Sequence, residues 1–440
     1  MSPSRKISIF PLLAVSFISA LGYGIVLPSL VYIVERFHGG NFLYGAIGAC
    51  YSAFQFIGAP VLGKLSDRFG RKRILFICML GSTVAWALFI VAFRLPVLTI
   101  GTVTTSITGA IALTLPMITI FIARSVDGLT AGDISVANAY VADITTEQER
   151  KADFGKMGVA GNLGFILGPA LAGVLAQTSF GLLLPIETAL GTSIFALLLI
   201  IFLLPESHPR KSPSLKTMGK EIVDPGRCTT ASSPSSTTPQ HPPSLGGGDL
   251  KLTLRGALKI EHIPLLLAIY FVFFLAFSLF VAAMPLYATE SLHWSVAETG
   301  IFFSVLSVVI VITEGPVLSW FNTRTSAESL TIWGTFIVML SYLVLLVPSA
   351  ALAYAAAALY ALGNGLMWPS FLSLLSDRAG DNQGYIQGLG NSAGSLASIA
   401  GLFFGGILFT AMKGSIFIVP AALVMVVFAM SFWLKKEPRP

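Results

Sequence analysis

The sequence contains few charged residues for its length. Asp, Glu, Lys and Arg make up only 11% of its 440 residues, whereas 55% are hydrophobic. Soluble globular proteins carry roughly 25% charged residues, so the composition excludes that class. It indicates a polypeptide that lies mostly within a lipid bilayer.

Cysteine and histidine are also scarce, with three and five copies. Cys50 and Cys78 fall in apolar runs and Cys228 in a polar stretch, so they form no disulfide framework. The histidines lie in loops or at the ends of apolar runs, at His38, His208, His241, His262 and His293. The chain also contains no P-loop and no nucleophile elbow. We therefore predict that the protein is not an enzyme and binds no metal or cofactor.

The densest cluster of charge is the segment 63–73 (GKLSDRFGRKR), which we call the basic loop. It contains five Lys and Arg residues and separates two apolar runs, 44–62 and 74–93. Each run is close to the roughly 20 residues that a helix needs to cross a bilayer. Lys and Arg concentrate in cytoplasmic loops beside such helices. We therefore attribute the net charge of +6 to membrane topology and not to binding of nucleic acid.

Hydropathy along the chain predicts twelve helical spans in two sets of six. They lie near 7–34, 42–62, 74–93, 119–142, 154–177 and 182–204, and near 263–288, 298–320, 329–347, 350–375, 385–411 and 415–434. The loops on the side of the two termini contain most of the Lys and Arg residues, and the other side contains only Arg36, Arg94 and Lys413. This asymmetry predicts a multi-pass protein of the plasma (inner) membrane with both termini in the cytoplasm.

Two stretches fall outside this pattern. Residues 94–117 are uncharged after Arg94 and rich in Thr and Gly, and we interpret them as an outer-side insertion, either re-entrant or interfacial. Residues 212–248 are rich in Ser, Thr, Pro and Gly, a composition that predicts disorder. The predicted organisation is therefore a bundle over 1–205, a largely disordered cytoplasmic linker over 206–262 and a second bundle over 263–440.

The two halves contain related patterns. Pro60-Val61-Leu62 followed by Arg68 recurs at the same spacing as Pro316-Val317-Leu318 followed by Arg324. Three glycines of the fifth span recur at one constant offset in the eleventh: Gly161, Gly168 and Gly173 correspond to Gly394, Gly401 and Gly406. We therefore predict an all-α membrane protein of two pseudo-symmetric six-helix bundles, with a site between them near the midplane.

The basic loop resembles the loop signature of the major facilitator superfamily, Gly-x-Leu-Ser/Ala-Asp-Arg-x-Gly-Arg-Arg/Lys. Three further segments resemble the drug:proton antiporter branch, and within it the tetracycline-efflux-like proteins: 124–128 (RSVDG), 138–145 (NAYVADIT) and 164–173 (GFILGPALAG). The resemblance implies the twelve-helix major facilitator fold and export of small molecules in exchange for protons. We expect a monomer.

The sequence departs from the tetracycline exporters at two positions. Those proteins carry an acidic residue in the first span, where this chain has Ser19, and another in the ninth span, where residues 331–348 contain none. These differences argue against tetracycline as the substrate.

Three charged residues fall inside the fourth predicted span: Arg124, Asp127 and Asp133. Charge within a bilayer is costly and therefore indicates function. On a continuous helix Arg124 and Asp127 share a face with Ser135 and Asn138, and Asp133 lies nearly opposite. We predict that Asp127 exchanges a proton and Arg124 modulates it, the alternative being a fixed structural ion pair. Asp133 is a candidate for the same role, or else contacts a neighbouring helix or a water pocket.

The basic loop also predicts a conformational latch formed by Gly63, Asp67, Arg68, Gly70 and Arg71. Asp67 is expected to cap the N-terminal end of the eleventh span, and Arg71 to bridge Asp143. Arg324 and Asp377 are expected to repeat that bridge in the second half. Such contacts would stabilise the outward-facing state, the alternative being that they only orient the loop.

Two other groups of residues complete the predicted site. Gly164, Gly168, Pro169 and Gly173 would allow close helix packing and kink the fifth span. Candidate polar and aromatic residues of a substrate cavity are Tyr23, Gln55, Asn138, Asn162, Tyr270, Asn364 and Trp368. Taken singly, a residue of this kind more often forms a hydrogen bond between packed helices. Two further acids within spans, Glu187 and Glu314, rank behind them.

We therefore predict a proton-coupled exporter of amphipathic or lipophilic small molecules that works by alternating access. Without a nucleotide site, its energy must come from an ion gradient or from the solute's own gradient. A uniporter or symporter of an endogenous metabolite is one alternative. A membrane sensor or scaffold that transports nothing is another.

Overall fold

A computed structural model of the chain describes residues 9–105, 109–207 and 254–435. Most of the predicted linker lies outside these residues. The described part is mainly helical, as predicted, with one two-stranded sheet.

The N-terminal bundle contains seven helices and a β-hairpin. In chain order these are α1 Phe10–Arg36, α2 Asn41–Phe69, α3 Arg71–Arg94, β1 Thr99–Thr105, β2 Gly109–Thr114, α4 Leu115–Thr130, α5 Asp133–Ile144, α6 Glu147–Ala176 and α7 Leu183–Leu203.

The C-terminal bundle follows a single helical turn, α8 Leu254–Ala257. Its helices are α9 Ile263–Glu290, α10 Val296–Ile312, α11 Leu318–Asn322, α12 Ala327–Val344, α13 Ala350–Ala379, α14 Gln383–Met412 and α15 Ile418–Ser431. A π-helical turn, Thr313–Val317, joins α10 to α11.

Ten helical stretches of the described residues are long and apolar enough to cross a membrane. The last of them, Tyr385–Leu434, contains both α14 and α15, which meet at the 3-10 turn Lys413–Phe417. The helices α4 and α5 follow one another across a two-residue break and together occupy the fourth predicted span. The described helices are therefore consistent with the twelve predicted crossings.

The predicted outer-side insertion is a β-hairpin. Strand β1 pairs antiparallel with β2, and α4 begins directly after it at Leu115, earlier than predicted. The β-branched Thr and Ile residues of this segment favour an extended backbone. The apolar side chains of Val97, Leu98 and Ile100 are exposed on it.

The fourth span is not one continuous helix, as the sequence predicts, because its backbone leaves the helical conformation at Ala131 and Gly132. Gly132 packs against the side chain of Leu62, where a Cβ atom would lie only 2.9 Å from the nearest carbon. Glycine also has a low helix propensity. A close contact with α2 at a weak helical position therefore accounts for the break.

Glycines of the internal repeat mark close helix contacts within each bundle. Gly168 of α6 lies against the backbone of α1 at Gly24. Gly401 of α14 lies against α9 in the same way, near the carbonyl of Leu275. Both positions require a residue without a side chain, because the two backbones approach directly.

The same repeat supplies the contact between the bundles. Gly173 of α6 packs against Ala297 of α10, and Gly406 of α14 packs against Gly45 of α2. These contacts lie at the end opposite the termini. At the terminal end, a Cβ atom added to Gly155 or Gly388 would meet no described atom within 4 Å. The described residues therefore join the bundles at one end, which we call the closed end, and leave open space beside Gly155 and Gly388 at the end of the termini, which we call the open end.

Candidate transport site

A cavity of about 400 Å³ lies between the two bundles. Phenylalanine, tyrosine and tryptophan form most of its wall, and none of the described residues that line it is charged. The lining residues are Tyr23, Gly24, Leu27, Asn162, Phe165, Pro169, Phe273, Phe274, Phe277, Phe280, Val281, Phe303, Leu306, Ser307, Ile310, Val311, Tyr360, Asn364 and Trp368. We call it the central cavity.

The C-terminal bundle provides most of the rings. Four phenylalanines of α9, spaced by one to four residues, face α13 across the central cavity. Phe273 stacks on Trp368 with ring centroids 6.0 Å apart, and Phe280 stacks on Tyr360 at 5.3 Å. Asn162, Ser307 and Asn364 add the few hydrogen-bonding groups, a composition typical of small-molecule sites.

Four of the seven predicted cavity residues line the central cavity, namely Tyr23, Asn162, Asn364 and Trp368. Tyr270 does not. Its hydroxyl donates to Oδ1 of Asn391 at 2.8 Å, and its ring packs edge-on against Trp368 at 5.1 Å. Tyr270 therefore supports the wall from behind.

Gln55 and Asn138 do not line the central cavity either. The Gln55 amide lies 3.5 Å from the hydroxyl of Tyr51, one helical turn away on α2. Asn138 belongs to α5, beyond the break in the fourth span. The prediction for Asn138 assumed that the fourth span is one continuous helix, and the break at Ala131 and Gly132 makes that assumption wrong.

A buried ion pair lies beside the central cavity, within the N-terminal bundle. Nη1 of Arg124 is 3.1 Å from Oδ2 of Asp127, and the arginine side chain is only 4% exposed. The guanidinium lies 4.1 Å from the ring centroid of Tyr51. Oδ1 of Asp127 accepts a hydrogen bond from Ser82 at 3.0 Å. The structure thus joins the two charges that the sequence predicts to pair.

A second, small cavity of about 50 Å³ contains this pair, and we call it the charged pocket. Asp127, Asp133 and Arg124 line it, together with Ile18, Ser19, Gly22, Tyr23, Tyr51, Met79, Ser82, Trp86, Ala131, Ala189 and Ser193. Ser19 lies in the same pocket as Asp133, and its hydroxyl donates to the sulfur of Met79 at 3.8 Å. Oδ2 of Asp133 and Nε of Arg124 are buried without a protein partner among the described residues.

The position of Asp133 corrects the prediction that it lies opposite Arg124. Because the chain leaves the helix at Ala131 and Gly132, Asp133 starts a new helix and faces the charged pocket. Ser135, predicted on the face of Arg124, is exposed on α5 instead.

Two tyrosines separate the central cavity from the charged pocket. Tyr23 lines both. Its ring centroid is 6.0 Å from that of Tyr51, which carries the Arg124 guanidinium on its face, and 5.7 Å from that of Phe165. Sequence reasoning placed Tyr23 in the cavity and missed Tyr51, whose type and spacing carry no distinguishing signal.

The basic loop contains an ion-pair network centred on Arg71. Its Nη2 is 2.6 Å from Asp67 and its Nε is 3.0 Å from Oδ2 of Asp143. Gly70 joins α2 to α3 with a φ of 101°, a conformation that favours glycine. The Gly63 carbonyl accepts a hydrogen bond from the Ser66 hydroxyl at 2.6 Å, and Arg68 lies over the ring of Phe69.

The predicted contact of Asp67 with the eleventh span is not present in this structure. The Asp67 side chain is 65% exposed and pairs with Arg71. The terminal end, where α14 begins, is the open end of the molecule. Asp67 therefore faces solvent instead of the N-terminus of α14.

Sequence reasoning missed one partner of the basic loop, Glu206. Its Oε1 accepts the backbone N–H of Lys72 at 3.3 Å, in the first turn of α3. A carboxylate at a helix N-terminus is electrostatically favourable. The next residue, Ser207, donates to Oδ2 of Asp143 at 3.3 Å. The sequence feature that could have identified Glu206 is its position as an acidic residue just after the sixth predicted span.

The second half does not repeat the Arg71–Asp143 bridge. Arg324 instead lies over the ring of Trp320, 4.0 Å from its centroid, and within the described residues it forms no ion pair with Asp377. Thr323 stands where the first half has Asp67. With that acid lost and an aromatic ring one turn away, the cation–π contact replaces the bridge.

Polar contacts close the end opposite the termini. Asn41 of α2 donates to Oε1 of Glu290 at 2.9 Å, and Lys413 forms an ion pair with the same carboxylate. Nearby, the hydroxyl of Tyr32 on α1 donates to the carbonyl of Trp294 at 2.8 Å. The bonds of Asn41 and Tyr32 join the two bundles where Gly173 and Gly406 bring them together, and the Lys413–Glu290 ion pair lies within the C-terminal bundle.

The predicted packing residues occupy the interfaces around this site. Gly164 and Gly168 contact α1, Gly173 contacts α10, and Pro169 lies against both Gly24 and Gly300. Because Pro169 also lines the central cavity, this segment connects the cavity to the closed end.

Sequence comparison agrees with this architecture. The profile of the Major Facilitator Superfamily matches residues 12–402. The chain belongs to the Major Facilitator Superfamily. It is thus a multi-pass integral membrane protein, and its activity is that of a transporter of small molecules.

Relatives within the superfamily are resistance proteins. The chain is 27% identical to tetracycline resistance protein, class C, of Escherichia coli over 93% of its length and 92% of that protein. It is 26% identical to multidrug resistance protein 1 of Bacillus subtilis (strain 168), over 92% of its length and 90% of that protein.

Solved structures of the superfamily share the fold at low sequence identity. A peptide transporter, POT, superposes with a TM-score of 0.69 at 16% identity, covering 97% of this chain and 94% of that one. The human organic anion transporter MFSD10 superposes with a TM-score of 0.62 at 19% identity, covering 98% of this chain and 100% of that one.

Proposed function

We propose that the protein is a proton-coupled exporter of amphipathic or lipophilic small molecules. The observation that carries this proposal is the juxtaposition of a buried Arg124–Asp127 ion pair with an aromatic cavity, with Tyr23 forming a wall of both. The resemblance to tetracycline and multidrug resistance proteins over most of the chain supports export over import.

The central cavity supports binding of an apolar, ring-containing solute. Its volume of about 400 Å³ suits a drug-sized molecule. Stacking on the α9 and α13 rings would hold such a solute, and Asn162 and Asn364 would orient its polar groups. A sugar would leave most of its hydroxyls unpaired against this wall.

Asp127 is the proposed proton acceptor. When ionised, it pairs with Arg124 and accepts from Ser82. Protonation removes the attraction between Asp127 and Arg124, so the guanidinium is held mainly by the Tyr51 ring. Because Tyr51 contacts Tyr23, a shift of Arg124 is transmitted to the wall of the central cavity. Proton binding and substrate release become linked by this path.

Asp133 is the proposed second member of the proton path. It brings a carboxylate to the charged pocket beside Ser19, the position at which the tetracycline exporters carry a first-span acid. The pocket, at about 50 Å³, is large enough for an ordered water molecule. Such a water would connect Oδ2 of Asp133 with Nε of Arg124.

Alternating access follows from the two ends of the molecule. In the proposed topology both termini lie in the cytoplasm, so the open end faces the interior of the cell. Asp67, exposed here, would reach the N-terminus of α14 only when the bundles close around the basic loop. The Arg71–Asp143 bridge would hold the loop ready for that contact.

The proposal is tested by proton release from proteoliposomes loaded with the purified protein. A substrate is first found by screening expressing cells for resistance to toxic compounds. Adding it should release protons in the wild type and not in Asp127→Asn. Asp153→Asn, at an acid of similar exposure that pairs with Lys156 and lines neither the central cavity nor the charged pocket, is the matched control. Unchanged release in Asp127→Asn would remove this residue from the mechanism, and proton movement in the same direction as substrate would identify a symporter.

A further inference from the structure

One membrane-embedded acid, Glu314, has no place in the mechanism above. It belongs to the π-helical turn Thr313–Val317 between α10 and α11. The side chain is partly buried, and no described residue forms a hydrogen bond or an ion pair with its carboxylate. An ionisable residue within a span, without a structural partner, indicates function.

Glu314 continues the stripe of α10 that lines the central cavity. That stripe consists of Phe303, Leu306, Ser307, Ile310 and Val311. Glu314 follows Ile310 by four residues and Val311 by three, which places it on the same helical face. At about 1.5 Å per residue it lies roughly 6 Å beyond Ile310, toward the open end.

Neighbouring residues support this orientation. The hydroxyl of Thr313 donates to the carbonyl of Val309 at 2.8 Å, so helical geometry continues to this residue. The Thr313 side chain packs against Gly365 of α13, inside the bundle. Val308 and Ile312, on the opposite face, are exposed toward the lipid. Glu314 therefore faces away from the lipid.

The π-helical turn is specific to this half of the molecule. In it, the N–H of Leu318 donates to the carbonyl of Thr313, five residues back. Pro60, which corresponds to Pro316 in the repeat, lies within α2 and causes no such turn. Proline alone therefore does not account for it. Single π-turns in helices are frequent at functional sites.

We propose that Glu314 is a charge-selecting residue at the mouth of the central cavity, and that the substrates are amphipathic cations. The aromatic body of such a molecule would occupy the central cavity, and its positive group would lie toward Glu314. None of the described lining residues of the cavity is charged, and the nearby Arg124 is paired with Asp127. Aromatic faces also attract cations. This inference rests on the proposed function, because it takes the central cavity as the substrate site.

The test compares a cation with a neutral molecule of similar size. The probes are tetraphenylphosphonium, a permanent aromatic cation, and triphenylphosphine oxide, a neutral aromatic compound. Calorimetry on the full chain in detergent gives Kd for each. Glu314→Gln should raise Kd for the cation about tenfold, the effect of a unit charge roughly 12 Å away at an effective dielectric constant of about 20. Kd for the neutral probe should stay within about twofold.

Two control variants accompany this measurement. Glu314→Asp keeps the charge and should retain preference for the cation. Glu328→Gln removes an acid from the first turn of α12, away from the cavity, and should change neither Kd.

The possible failures are distinguishable. If the wild type binds the neutral probe and Phe277→Ala binds it with the same Kd, the central cavity is not the substrate site. The inference about Glu314 would then fail together with the proposed function. Neutral binding that depends on Phe277, with an unchanged ratio of the two Kd values in Glu314→Gln, would overturn the inference and leave the proposed function intact.

Discussion

The two bundles share a scaffold and differ in what they enclose. Glycines at equivalent positions, such as Gly173 and Gly406, form equivalent contacts between the halves. The fourth span, α4 and α5, contains buried charge and a helical break. The tenth, α13, is one continuous helix of 30 residues that presents Tyr360, Asn364 and Trp368 to the central cavity. The two halves therefore share their backbone contacts and differ in the side chains that they enclose.

Under the proposed function, the energy source lies in one half and the substrate site mostly in the other. The charged pocket lies within the N-terminal bundle, and the aromatic wall belongs mostly to the C-terminal bundle. Their point of contact is Tyr23, which lines both. Three variants should break or sharpen this division.

The largest effect is expected from Arg124→Gln. The substitution leaves the Asp127 carboxylate buried without its cation, and breaking a buried ion pair in this way costs about 3–5 kcal/mol. The initial rate of transport driven by a pH gradient should therefore fall about a hundredfold or more. Arg94→Gln, at an exposed arginine that ends α3, serves as the control. A wild-type transport rate in Arg124→Gln would show that another charged residue couples transport to the pH gradient.

A smaller effect is expected from Tyr23→Phe, which tests the contact between the two halves. The ring that lines the central cavity remains, so substrate Kd should change less than about threefold. Tyr23 lines the charged pocket together with Arg124, and the substitution removes its hydroxyl, so protons released per substrate should fall about threefold. Tyr270→Phe removes a hydroxyl bonded within the C-terminal bundle and should leave this ratio unchanged. Equal ratios in the two variants would separate Tyr23 from coupling.

The smallest effect is expected from Lys413→Gln at the closed end. Its ion pair with Glu290 is largely exposed, and such pairs contribute about 1 kcal/mol or less. The transport rate should stay within about twofold of wild type. Gly406→Val, at the neighbouring interface between the bundles, should reduce it far more, because Gly406 lies directly against the backbone of α2. A large effect of Lys413→Gln would show that an ion pair within the C-terminal bundle, rather than backbone packing between the bundles, controls this end.

Features that depend on local spacing could be predicted from the sequence. The apolar runs indicated the spans, and the constant glycine offset indicated the pseudo-symmetry. Residues three apart on a helix face one another, which brought Arg124 to Asp127. The Arg71–Asp143 bridge was also predicted, but from the charges of the basic loop and not from local spacing.

Features that depend on tertiary contacts could not be predicted from the sequence. The break at Gly132 is caused by packing against Leu62, which no local pattern reveals, so Asp133 was assigned to the wrong face. The phenylalanines of α9 are apolar like any lipid-facing residue, and only the packing of the bundles distinguishes a cavity wall from a membrane surface. The pseudo-symmetry predicted a bridge between Arg324 and Asp377, and this prediction was wrong because Arg324 lies over the ring of Trp320 instead.

The division between the halves is tested most directly by two measurements on one set of proteoliposomes: substrate Kd, and protons released per substrate at saturation. We predict that Asp127→Asn binds substrate with nearly wild-type Kd and releases no protons. Phe277→Ala should show a Kd raised about tenfold with a wild-type proton ratio. If both variants lost binding and proton release together, the two functions would not be separable between the bundles, and the proposed division would be contradicted.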